Sequence, residues 1–112
     1  MIRTILLALT LAVPAQAEIS LSLPLGAQTE TIVVHHTCAD GRDLSVRYIT
    51  DAQQSLALLS PDGSERLFVA VIAGSGVRYV SGEWEWWNKG NEGTLTNLRT
   101  RMAPLPCETN ED

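Results

Sequence analysis

From Thr31 to Leu98 the chain is written in short runs of β-branched and apolar residues, each cut by a turn signal after about ten residues. No stretch holds a 3.6-residue period long enough to make a helix. Thr31 to Cys38 is β-branched and reads as a strand, followed by the turn pair Asp40-Gly41. Leu44, Val46 and Tyr48 then share one face, with Ser45 and Arg47 on the other, and Asp51 closes the run. Leu56 and Leu58 continue the apolar face in a third run. Pro61-Asp62-Gly63-Ser64 is a turn in which proline presets φ and glycine accepts a positive one. Leu67 to Ile72 is apolar on both faces, which predicts a strand covered on both. After Gly74-Ser75-Gly76, Val77–Val80 and Glu83–Asn88 are strand-like, Gly90 and Gly93 bracket a turn, and Thr94–Leu98 returns to strand. Seven or eight such runs predict an all-β fold, a sandwich or a closed barrel.

Two flanks behave differently. Residues 1–17 have the layout of a secretory signal: Arg3, an apolar stretch from Ile5 to Val13, and Ala15-Gln16-Ala17 as the small-x-small cleavage site. That stretch is shorter than the roughly 20 residues a spanning helix needs. No cysteine stands near the cleavage site to carry a lipid, so the expectation is a soluble product exported to the periplasm without a membrane anchor. Residues 18–30, interrupted by Pro24 and Gly26, read as a flexible leading segment, and Glu108–Asp112 as a frayed acidic tail. In an exported chain the only two cysteines, Cys38 and Cys107, are expected to form a disulfide.

The formal charge is −5, and losing Arg3 makes the remainder more acidic. This excludes a nucleic-acid partner, which needs a basic footprint, and favours a basic one. No catalytic constellation is legible. His35 and His36 are adjacent, so in a strand they point to opposite faces and cannot converge. A solvent-facing histidine is the plain reading of either. Oxidised cysteines are not nucleophiles, and two cysteines with adjacent histidines lack metal-ligand spacing. Neither cofactor nor metal is expected, and the chain is not read as an enzyme.

Two features exceed background: Ser75 between two glycines with Tyr79 following, and the run Trp84-Glu85-Trp86-Trp87-Asn88-Lys89-Gly90, which holds all three tryptophans. Trp84 and Trp86 would share one face, and core filling is the plain reading of both. The alternative is a carbohydrate- or ligand-binding envelope module built on the Trp84–Trp87 cluster.

At these residues the chain resembles the family of membrane-bound lysozyme inhibitors of C-type lysozyme, including its unanchored periplasmic members. The family's Ser-Gly-x-x-Tyr motif is Ser75-Gly76-Val77-Arg78-Tyr79. Its second motif, an aromatic residue, three variable positions, Thr, Lys and Gly, runs from Trp84 to Gly90, with Trp84 in place of the usual Tyr and Asn88 in place of Thr. Cys38 and Cys107 match the family's cysteines, and the resemblance covers residues 31–107. It implies a small eight-stranded antiparallel β-barrel over 31–107 that inhibits C-type lysozyme. It also implies a loop bearing Ser75 entering the enzyme's sugar-binding cleft with Lys89 beside it. Gly76, Tyr79 and Gly90 belong to the same expected binding set, and Glu83 and Glu85 are candidate rim contacts for enzyme arginines. A lysine ammonium between the two carboxylates of such a cleft would hold both ionised, leaving no acid to protonate the glycosidic oxygen.

Overall fold

The computed structural model describes residues 22–110, so the signal-peptide reading of residues 1–17 lies outside the described residues. Eight strands follow one another: β1 Glu30–Cys38, β2 Asp43–Thr50, β3 Ser55–Leu59, β4 Arg66–Val71, β5 Val77–Ser81, β6 Trp84–Lys89, β7 Glu92–Asn97 and β8 Leu105–Thr109. Each pairs antiparallel with the next, and β1 pairs with β8 to close the barrel. Of the two architectures the alternation allowed, the closed one is found. The closing seam is stapled by the Cys38–Cys107 disulfide, which joins residues in direct register. Cross-linking a 69-residue separation constrains the unfolded chain by about 4 kcal/mol in the loop-entropy account.

The barrel interior is filled by side chains. Trp86, Phe68, Val46 and Ala57 are fully buried, with Leu44, Leu59, Tyr79, Leu95 and the disulfide packed around them. Tyr48 joins this core, as expected, with Leu44 and Val46 on the inner face of β2.

Several expectations are corrected. In β3 the inner residues are Ala57 and Leu59, not Leu56 and Leu58, because Tyr48 stands directly opposite Ala57 and fixes the register. Strand β4 is buried on one face only: Phe68 points in, while Val69 on the outer face is 48% exposed and Ile72, beyond the strand, is 98% exposed. Gly93 is not part of a turn. It lies inside β7, where a methyl group would overlap Cη2 and Cζ2 of Trp86, so the indole occupies the space a side chain would need. The turn is Gly90-Asn91, a two-residue hairpin loop with its glycine at φ 59° in the first central position, as a type II′ turn requires.

His36 does not face solvent. It is fully buried, edge-on to Trp86 at 5.1 Å between ring centroids, while His35 lies outside with its Nδ1 2.7 Å from Ser45 Oγ. The frayed tail is corrected too: Glu108 and Thr109 belong to β8, and Asn110 donates its N–H to His35 O and accepts from Thr37 Oγ1. Glu111 and Asp112 lie outside the described residues. At the other flank, the leading segment is tied to the barrel where Gly26 N–H donates to Asp51 Oδ2 at 3.0 Å, and β1 begins at Glu30.

The barrel therefore has two ends. One carries the β2–β3 turn, the β4–β5 loop, the β6–β7 hairpin and the leading segment. The other carries the β1–β2, β3–β4 and β5–β6 turns and the long β7–β8 connection.

Candidate functional site

Ser75 sits in the β4–β5 loop and Lys89 at the last position of β6, so both emerge at the first end of the barrel. Two contacts bring them together. The indole Nε1 of Trp87 donates to the main-chain oxygen of Ser75 at 3.0 Å. Gly76 then passes so close to β6 that a Cβ there would lie 2.6 Å from Asn88 O and 3.2 Å from Lys89 Cβ. Its φ of 67° is a further reason for glycine at this point. The Ser75 loop is thus laid against the strand that ends in Lys89, and both side chains are exposed.

Strand alternation puts Glu85, Trp87 and Lys89 on the outer face of β6 and Trp84 and Trp86 on the inner. No ion pair engages Lys89 among the described residues. Asn88 braces the hairpin beyond it, donating its Nδ2 to Glu92 O at 3.2 Å across the Gly90-Asn91 turn. Asn88, one of the two residues that depart from the resembled motif, therefore works on the turn backbone.

Three members of the expected set lie elsewhere. Tyr79 is 4% exposed, with its hydroxyl 2.9 Å from Ser55 Oγ, and so belongs to the barrel frame rather than to a contact surface. Glu83 is in the β5–β6 turn at the opposite end, about 20 Å along the strand from Lys89 at ordinary strand rise. Glu85 lies mid-strand and accepts from Arg78 Nε at 2.8 Å. The acids that do neighbour Lys89 escaped the sequence reading. Glu92 is directly opposite it, and Glu108 directly opposite Glu92. Both are exposed and unpaired among the described residues, although like charges facing across strands are unfavourable by themselves. Glu92 was within reach of sequence, because a two-residue hairpin places it opposite Lys89. Glu108 depends on a pairing across the β7–β8 connection.

The tryptophans do not share one face: Trp84 and Trp86 turn inward and Trp87 outward. Trp86 is wholly inside and donates its N–H to Tyr48 Oη at 2.9 Å, and Trp87 spends its N–H on Ser75. Burial pushes the Tyr48 hydroxyl up to about 12, the Trp86 hydrogen bond partly opposing it. Among the described residues no three His, Cys, Asp or Glu side chains are grouped to hold a metal ion, and no helix is long and apolar enough to cross a membrane.

The chain is similar in sequence and fold to known proteins. A family profile described as "Membrane-bound lysozyme-inhibitor of c-type lysozyme" matches residues 36–103. A curated protein of Cupriavidus necator named membrane-bound lysozyme inhibitor of C-type lysozyme is 39% identical over 77 residues, covering 69% of this chain and 62% of that protein. One of the same name from Pseudomonas aeruginosa is 40% identical over 76 residues, covering 67% and 60%. The chain thus spans about three fifths of the length of these relatives. The crystal structure of Pseudomonas aeruginosa MliC in complex with hen egg white lysozyme is similar at a TM-score of 0.72 and 34% identity, covering 85% of this chain and 99% of that one. A profile match running through most of the barrel, with relatives at this identity, shows that the chain belongs to the family of membrane-bound lysozyme inhibitors of C-type lysozyme.

Proposed function

We propose that this chain is a protein inhibitor of C-type lysozyme acting in the bacterial envelope, and that it engages the enzyme with the barrel end bearing Ser75, Gly76, Lys89 and Gly90. The observation that carries the reading is the juxtaposition of the Ser75 loop with Lys89, fixed by the Trp87–Ser75 hydrogen bond and the close pass of Gly76, in a member of a family named for this activity. The ammonium is unpaired among the described residues, and an exposed β-hairpin presents it.

In a cleft with one protonated and one ionised carboxyl, a lysine donating to both favours both as carboxylates. The general acid is then lost and glycoside cleavage stops. Ser75 supplies a second polar contact beside it. Glu92 and Glu108 replace Glu83 and Glu85 as the candidate rim acids, because they flank Lys89 in register. The acidic chain complements a basic enzyme and speeds encounter. Export through the residue 1–17 signal and residence in the periplasm complete the proposal.

The test is a titration of the purified protein against C-type lysozyme in a cell-wall lysis assay, with Lys89→Ala in parallel. Stoichiometric inhibition that the substitution abolishes supports the reading. No inhibition by the original protein overturns it, and equal inhibition by the variant overturns the role of Lys89.

A further inference from the structure

The β4–β5 loop carries a side chain that the Ser75–Lys89 pair does not use. Its residues are Ile72-Ala73-Gly74-Ser75-Gly76. None is charged, and Ile72 is the one large side chain in it. Ile72 is 98% exposed, more than any other large hydrophobic among the described residues. Val69 and Val71 on β4 and Val77 at the start of β5 are exposed as well. Four of the nine exposed large hydrophobics therefore stand on this loop and the two strands it joins. Apolar residues scattered singly over a surface need no explanation, but a group of neighbours marks a contact surface. The barrel itself gains nothing from Ile72. Turn chemistry favours Gly, Asn, Asp or Ser at such a place, and an isoleucine in water forgoes what burial would contribute.

Its placement decides what covers it. Ile72 is three residues from Ser75, so their Cα atoms lie within about 11 Å whatever path the loop takes. Gly76 is laid against the strand that ends in Lys89, where a Cβ would come 3.2 Å from Lys89 Cβ. A protein interface of ordinary size covers roughly 800 Å² of each partner, a disc about 16 Å in radius. An enzyme seated over Ser75 and Lys89 therefore reaches Ile72. The chemistry agrees with the geometry. The general acid of a C-type lysozyme is kept protonated by an apolar pocket, so a cleft that offers carboxylates to Lys89 also offers an apolar wall. An uncharged loop enters it without stripping water from a charge of its own.

We propose that Ile72 is an apolar anchor for C-type lysozyme, packing on the apolar wall of the enzyme's cleft and keeping water from the neighbouring Ser75–Lys89 contact. This contact rests on the inhibitor reading and extends it, because Ile72 stands outside both motifs of the family. It gives this chain's own loop a part in selecting the enzyme.

The experiment measures association and dissociation rates of the disulfide-intact protein with a C-type lysozyme, beside the lysis assay. Burying a fully exposed isoleucine contributes about ten- to hundredfold in affinity. Ile72→Ser is therefore expected to speed dissociation at least tenfold while association changes less than about twofold, since an uncharged contact acts after encounter. Ile72→Leu keeps the apolar volume and is expected to stay within about threefold of the original. Leu98→Ser removes an exposed leucine from the β7–β8 connection at the far end of the barrel and is expected to change neither rate. Circular dichroism confirms that each variant is folded. If the original protein inhibits, Lys89→Ala does not, and Ile72→Ser dissociates at the original rate, the anchor is overturned and the inhibitor reading stands. Equal effects of Ile72→Ser and Leu98→Ser, or a loss confined to association, overturn the anchor too. Failure of the original protein to inhibit overturns both.

Discussion

The indole N–H of Trp87 is hydrogen-bonded to the main-chain carbonyl of Ser75 across 3.0 Å. A side chain on β6 thereby holds the loop between β4 and β5, and the two motifs that are separate in sequence become one surface. Trp87→Phe keeps the ring and deletes the bond. A neutral hydrogen bond contributes about 1 kcal/mol net, so lysozyme inhibition is expected to weaken about fivefold while the barrel stays folded. Faster amide exchange confined to residues 73–76, measured beside the inhibition constant, would trace the loss to the loop. Unchanged inhibition would show that the loop does not need this tether.

Position along the strands separates the acids by role. Lys89→Ala is expected to cost about 2 kcal/mol or more of binding, the scale of an interface hot spot. Glu92→Gln and Glu108→Gln are expected to slow association severalfold, more at low salt, since rim charges act mainly on encounter. Glu83→Gln, at the other end of the barrel, is expected to leave both rates unchanged. Stopped-flow or surface-based kinetics at two ionic strengths reads all four. An effect of Glu83 equal to that of Glu92 would place the enzyme on a different surface.

How much of this was legible in sequence follows from which pairings are local. The β5–β6 and β6–β7 hairpins have two-residue loops led by glycine, so their register, and with it the inward Trp84 and Trp86 and the outward Trp87 and Lys89, can be read from turn chemistry and alternation. In strand β3 alternation alone does not settle the faces, because Leu56, Ala57, Leu58 and Leu59 are all apolar. With no polar residue to mark the outer face, only the Tyr48–Ala57 pairing decides it. Strand β8 hides behind Pro106, which reads as a breaker until the seam with β1 is formed. Alternation puts one of His35 and His36 on the inner face, and the cysteine two residues on marks it as His36; only residue type argues for surface.

Gly93 offers a test of packing apart from function. The Trp86 ring lies where a side chain at 93 would go, and both ring and backbone are enclosed by the barrel. Overpacking of this kind costs typically 1–3 kcal/mol, and Gly93→Ala is expected near the upper part of that range. Urea unfolding should show a lower midpoint with an unchanged slope, and the Trp86 indole resonance should shift as the ring is displaced. A variant as stable as the original would mean that the ring moves aside freely.

His36 sets the acid limit of the fold. Burial holds its pKa below the ordinary 6.5, with the adjacent His35 acting in the same direction and the backbone of Leu44 and Val34 partly opposing. The folded barrel therefore takes up its proton at lower pH than the unfolded chain does. Below pH 6.5 the unfolded state binds more protons, so stability falls as pH falls, by up to about 1.4 kcal/mol per pH unit until the folded-state value is reached. From about one unit above 6.5 both states are neutral at this residue and the contribution is constant. Denaturant unfolding at half-unit steps from pH 5 to 8 is expected to show a plateau at the upper end and a decline that steepens below 6.5. His36→Phe keeps an aromatic edge against Trp86 and removes the titration, so it should flatten the decline. A decline of the same slope in that variant would assign the acid sensitivity to the carboxylates instead.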